Sequence, residues 1–111
     1  MSTAQAITRY IRIPPRKARL AAGLIRGLSV FAARAQLLTS PLKAARLLVK
    51  TLNSATNNAT TALEVSEDTL RVVEVRVDEG PRLKRSKSKN RGGRHPIIKK
   101  TSHFTVVVGM Q

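Results

Sequence analysis

The chain has 111 residues, enough for one domain of ordinary size and too few for two. Its 21 lysines and arginines face only 6 acids, a formal charge of +15, and this self-repulsion argues for a polyanionic partner. There is no cysteine, so disulfide scaffolds, thiolate metal sites and cysteine nucleophiles are excluded, and there is no apolar run of membrane-spanning length.

The first predicted element is a strand over residues 5–13. Ile7, Ile11 and Ile13 are expected on its inner face, and Thr8, Tyr10 and Arg12 outside. Pro14-Pro15 ends it and opens a helix over 15–26, because a proline in the first turn needs no donor. Ala18, Ala21, Ala22 and Ile25 form the apolar side of that helix; Arg16, Arg19 and Arg26 lie opposite, with Leu20 among them. Gly27 stands where a glycine cap belongs. Ser29 is the expected N-cap of a second helix, 30–39, carrying Val30, Ala33, Leu37 and Leu38.

Ser40-Pro41 predicts the start of a third helix reaching to about residue 62. Leu42, Ala45, Leu48, Val49, Leu52, Ala55, Ala59 and Ala62 make its apolar stripe, with Lys43, Arg46 and Lys50 off it. An acidic connector follows. Residues 70–78 then alternate as a half-buried strand with Val73, Val75 and Val77 inside. A last strand is expected over about 97–108, with Ile98, Phe104, Val106 and Val108 on one face. Between these two strands lies a basic segment with Gly92-Gly93 as its turning point, so the simplest geometry is one long hairpin whose arms leave the domain.

The charges are segregated. Every acid lies between Glu64 and Glu79, so neither end of the chain can neutralise itself. Arg82 to Arg94 holds seven basic residues in thirteen and one large apolar residue, Leu83; it cannot bury enough surface to order itself. The absence of aromatics there argues against a stacking platform for single strands, and the absence of apolar anchors argues against a membrane. His95 and His103 have no cysteine partners and no acid nearby in sequence, so no metal site is expected. Ser102 and His103 would point to opposite faces of a strand, which removes them as a catalytic dyad. No phosphate-binding glycine loop is present, and the expectation is a protein that is not an enzyme and uses no cofactor and no small-molecule substrate. Arg and Lys that grip phosphates and recognise folded shape fit structured RNA. The alternative is a DNA-binding architectural protein with a basic arm.

Four blocks, in order across nearly the whole chain, resemble the large-subunit ribosomal protein twenty-two family in its bacterial form. They are Ile11-Arg-Ile-Pro-Pro-Arg-Lys-Ala-Arg-Leu20 with Leu24-Ile-Arg-Gly27; Lys50-Thr-Leu-Asn-Ser-Ala55 with Asn57-Asn58-Ala59; Val77-Asp-Glu-Gly-Pro81 with Lys84-Arg85; and Lys99-Lys-Thr-Ser-His-Phe-Thr-Val-Val-Val108. The resemblance implies an α+β fold with three helices on a small three-stranded antiparallel sheet, plus a long extended β-hairpin, all one domain over 1–111 with the hairpin at about 80–97. It implies a cytoplasmic ribosomal protein that binds large-subunit rRNA, assists assembly and lines the nascent-peptide exit tunnel. Its partners would be that rRNA, neighbouring large-subunit proteins and the nascent peptide. The RNA-binding candidates are Arg12, Arg16, Lys17, Arg19, Arg26, Arg82, Lys84, Arg85, Lys87, Lys89, Arg91, Arg94, Lys99 and Lys100. The tunnel tip would be Lys87, Ser88, Lys89, Asn90, Arg91, Gly92, Gly93 and Arg94. Pro14 replaces the serine that usually caps the family's first helix, and Ser86, Lys87 and Ser88 replace larger apolar residues near the tip.

Overall fold

The structure is a computed structural model describing residues 3–81, 83–88 and 94–110, with 83–88 and 94–99 as backbone. The order is β1 (Thr3–Ile11), α1 (Pro15–Gly23), α2 (Val30–Thr39), α3 (Lys43–Leu63), a 3-10 turn (Glu67–Thr69), β2 (Leu70–Glu79), β3 (Leu83–Ser88), β4 (Arg94–Lys99) and β5 (Ser102–Met110). The strand order of the main sheet is β1-β5-β2, antiparallel throughout, and β3 pairs with β4 in a separate two-stranded ribbon. This is the expected α+β architecture. No helix among the described residues is long and apolar enough to cross a membrane.

The three helices cover one face of the sheet. Their apolar sides are rich in alanine, which lets α1 and α3 approach the strands closely. Ala18, Ala21, Ala22 and Ile25 are buried as the periodicity requires, together with Ala44, Ala45, Leu48, Leu52, Ala55 and Ala59 of α3. Phe104, Val106 and Val108 of the central strand meet them from the other side. Ser29 caps α2, its Oγ accepting from the Ala32 amide at 3.3 Å. Gly27 adopts φ +77°, a left-handed turn suited to glycine.

Several expectations are corrected. β1 runs two residues earlier than predicted, and its inner face is Ala4, Ala6 and Thr8, while Ile7 is 43% exposed. The cause is a bulge: Thr8 pairs with Phe104 but Ile11 pairs with Ser102, so one extra residue is accommodated, with Tyr10 at φ +58°. The extra residue flips the alternation and returns Ile11 and Ile13 toward the core. β2 carries a similar bulge. Val72 pairs with Val108 and Glu74 with Val107, so Leu70 and Val72 face inward before it, Val75 and Val77 after it, and Val73 is 37% exposed.

The third helix begins at Lys43, two residues later than expected, because Ser40 Oγ accepts from the Leu42 amide and holds the chain extended there. Thr51 and Thr56 are buried on it, Thr56 donating to Leu52 O at 2.8 Å and Thr51 bonding Thr8. Leu38 and Ala62 are exposed instead of packed. The predicted last strand is divided into β4 and β5 by Lys100-Thr101.

Candidate nucleic-acid interface

Two surfaces carry the basic residues that the sequence singles out: the first helix and the hairpin. The first helix starts without a side-chain cap, because Pro14 has none to give, and no acid stands in its first turn. Arg16 and Lys17 occupy that turn, with Arg12 just before it, and all three are exposed. Cations at the positive end of a helix dipole are unfavourable for the isolated domain, and an anion placed among them relieves both effects.

Arg19 and Arg26 are built differently. Arg19 Nη2 donates to Val77 O at 3.1 Å, and Arg26 Nη2 donates to Val75 O at 2.9 Å. β2 is an edge strand, and its outer edge is covered at Val72, Val75 and Val77. The Gly27 amide donates to Val72 O at 3.2 Å and the Val72 amide to Leu28 O at 2.8 Å, before Arg26 and Arg19 take the next carbonyls. Edge strands left open invite pairing with other chains. Both guanidinium groups therefore have a folding role that the sequence did not reveal, and each keeps further N–H donors for a phosphate. Arg26→Ala is expected to lower stability in the absence of RNA by about 1 kcal/mol, whereas Arg16→Ala, which removes a cation from the positive end of the helix dipole, is expected to raise it slightly. Urea unfolding of the two variants checks this; equal midpoints would remove the edge-covering role.

The hairpin leaves the domain through a tight joint. The Gly80 amide donates to Thr101 O at 2.9 Å, and Thr101 Oγ1 donates to Pro81 O at 2.5 Å. A Cβ on Gly80 would lie 2.5 Å from Thr101 Oγ1 and 3.2 Å from the His103 ring. The same ring meets Tyr10 edge-on, centroids 5.0 Å apart, and its Nδ1 accepts from the Tyr10 amide at 3.1 Å. The β1 bulge, the His103 ring and the base of the hairpin are thus one packed unit. Ser102 Oγ donates to Ile13 O at 2.7 Å and is buried, which ties the end of β1 to the same place. Gly80→Ala must displace Thr101 and break its bond to Pro81. Its expected signature is faster hydrogen exchange at the amide of position 80; unchanged exchange would show that the joint has room.

Beyond the joint, Leu83 pairs with Lys99, Lys84 with Ile98, Arg85 with Ile97, Lys87 with His95 and Ser88 with Arg94. The backbone of Lys84, Arg85, Lys87, Arg94 and Lys99 therefore lies on the ribbon, and exposed Lys100 sits at its root. Arg82, Lys89, Asn90, Arg91, Gly92 and Gly93, and with them most of the tip, lie outside the described residues. The chain measures 62 × 25 × 16 Å along its principal axes. Its radius of gyration is 17.0 Å, where a compact chain of this length would have about 13 Å.

A further basic row lies on the third helix, outside the candidates that the resemblance implies. Lys43, Arg46 and Lys50 are exposed at i, i+3 and i+7 on α3, and none pairs with an acid among the described residues. The spacing was visible in the sequence as the polar side of an amphipathic helix, which by itself does not separate a solvated face from a phosphate-facing one. Arg34 pairs with Glu67 at 3.4 Å and Arg76 with Glu74 at 3.2 Å, and neither pair involves α3.

Comparison with known proteins agrees with this architecture. The family model described as Ribosomal protein L22p/L17e matches residues 6–109. A protein of Protochlamydia amoebophila (strain UWE25) named large ribosomal subunit protein uL22 is 68% identical over 108 residues, covering 97% of each chain. Proteins of the same name from Chlamydia felis and from Chlamydia trachomatis serovar L2 are 60% and 57% identical over 105 residues, covering 95% of each chain. A match across nearly the whole length, on a chain with this charge segregation and hairpin, settles its kinship: the chain belongs to the ribosomal protein L22p/L17e family.

Proposed function

We propose that this chain is a non-catalytic structural protein of the large ribosomal subunit in the cytoplasm. It binds the subunit's rRNA, assists its assembly, and lines the nascent-peptide exit tunnel with its hairpin. The observation that supports this reading is the placement of cationic residues on a two-stranded ribbon separate from the main sheet. Nine basic residues lie between Gly80 and the C-terminus with no acid among them, and among the described residues β3 and β4 pair with each other alone. A two-stranded ribbon is marginal in water. RNA helices that converge on it supply the counter-charge and the packing surface that it lacks. In return the ribbon lowers the repulsion between their backbones, which is how a short basic protein promotes assembly. The relatives' shared name as large-subunit proteins supports the same partner.

The globular part has a separate task in this reading. Arg12, Arg16 and Lys17 at the head of α1, with the remaining donors of Arg19 and Arg26, hold phosphates close to the domain. The joint at Gly80, Thr101 and His103 sets the direction in which the hairpin leaves. In this reading the tip is Lys87 to Arg94, set at the tunnel wall beside the nascent peptide. Neighbouring large-subunit proteins occupy the parts of the domain that RNA does not.

Sedimentation of the full chain through sucrose at high salt tests the reading. It is expected to travel with the large subunit, and release at moderate salt would overturn the structural role. Protection of rRNA by the chain is expected to depend on 2′-hydroxyls; equal affinity for the DNA form of the same fold would favour an architectural DNA-binding protein instead. A photoreactive group at Lys89 is expected to cross-link to nascent chains on translating ribosomes, and its failure would remove the tunnel from the proposal.

A further inference from the structure

The second helix stands out in so basic a chain. Val30–Thr39 contains one charged residue, Arg34. That guanidinium is already engaged: Nε donates to Asn53 Oδ1 at 2.9 Å, and Nη2 meets Glu67 Oε1 at 3.4 Å. With Ala33 and Leu37 buried, the opposite side of α2 presents Phe31, Ala35 and Leu38 at i, i+4 and i+7. Phe31 is 54% and Leu38 67% exposed, two of the most exposed large apolar side chains among the described residues. Large apolar side chains grouped on one face mark interaction sites more often than scattered ones do.

The flank of this stripe is acidic. Through the Arg34–Glu67 pair, α2 is joined to the 3-10 turn that carries Glu67 and Asp68, and Glu64 caps the end of α3 in a left-handed conformation. Glu64 and Asp68 are exposed and pair with no cation among the described residues; Asp68 accepts only from the Ser66 hydroxyl. An RNA backbone would meet uncompensated carboxylates here and no free cation on the helix. A protein segment with apolar side chains flanked by lysine or arginine would satisfy both the stripe and its rim.

We propose that the outer face of α2, with the acidic turn beside it, docks a basic, apolar segment of another protein of the large subunit. The inference rests on the ribosomal reading above and assigns this face to protein rather than RNA. Apolar contact on Phe31 and Leu38 supplies the central burial, and the carboxylates at the rim select for positive charge.

The test uses the full chain with Phe31 replaced by p-benzoylphenylalanine, and a second variant with the same probe at Leu38, each assembled into large subunits and purified by sedimentation at high salt. Irradiation is expected to yield an adduct with a second ribosomal protein at a peptide that has lysine or arginine within a few residues of the attachment point. Adding Glu64→Gln and Asp68→Asn to the probe variant is expected to lower the adduct yield by about twofold or more, since exposed charges contribute modestly. If the chain sediments with the subunit and both probes cross-link to rRNA, to a second copy of this chain, or to nothing, the docking face is refuted and the ribosomal reading stands. If the chain fails to sediment with the subunit, the ribosomal reading falls and this proposal falls with it.

Discussion

Phe104→Ala is expected to cost about 3–5 kcal/mol, as truncations of buried phenylalanine do. Phe104 is fully buried on the central strand, paired with Thr8 on one side and Val77 on the other. The other two aromatic residues, Tyr10 and Phe31, are exposed, so no other ring can repack into the gap. The surroundings also resist collapse. Ala18, Ala21, Ala45 and Ala55 already bring backbone close to the sheet, leaving few long side chains to swing inward. Domains of this size are stable by about 5–15 kcal/mol, so the variant is expected to be unfolded in a substantial fraction of molecules or to melt far earlier. Urea unfolding measures it. A loss below about 1 kcal/mol would mean that the helices close over the cavity and that the core is less rigid than its packing indicates.

The second large effect concerns the hairpin and RNA. Replacing Lys84, Arg85, Lys87 and Lys89 together by glutamine removes four cations from the proposed phosphate grip while keeping a polar side chain at each position. Each phosphate contact on a duplex contributes about 0.9 to the slope of log affinity against log salt, so the four together are expected to flatten it by about 3 to 4. Between 50 and 200 mM salt, a grip of six to ten contacts loses on the order of 10³–10⁵ in affinity; the variant loses correspondingly less, from a weaker start. Its stability without RNA is expected to be unchanged or slightly raised, because like charges have been removed from a strongly cationic chain. Titration on an rRNA fragment reads the slope, and a slope equal to that of the natural sequence would show that these side chains are not on phosphates.

The two experiments separate the parts of the molecule. The first acts on the core and spares the charges; the second does the reverse. Their independence follows from the topology, in which the cationic ribbon forms its own two-stranded sheet, separate from the β1-β5-β2 sheet that carries Phe104.

The helices were legible because their signals are local. Ser29, the spacing of Ala18, Ala21, Ala22 and Ile25, and the long stripe from Ala45 to Ala59 each depend on neighbours within a turn or two, and the structure places all three helices within a few residues of the expected bounds. The hairpin was legible for a related reason: a basic segment unable to form a core, set between two alternating strands, has few places to go. The charge segregation likewise needs only the sequence, and with it the expectation of a polyanionic partner.

Strand faces were decided elsewhere. Whether Ile7 or Ala6 points inward depends on the extra residue accommodated between Thr8 and Ile11, and the outward turn of Val73 depends on the one between Val72 and Glu74. A bulge is a property of a pair of strands, set here by the register of β5 against both neighbours, and no alternation read along one strand contains it. Arg19 and Arg26 looked like free cations because their acceptors, the carbonyls of Val77 and Val75, lie some fifty residues away and become available only when β2 is an edge. Composition and local periodicity determined the helices, the basic hairpin and the expectation of a polyanionic partner. Long-range strand pairing decided which face of each strand is buried and that Arg19 and Arg26 are spent on the edge of β2.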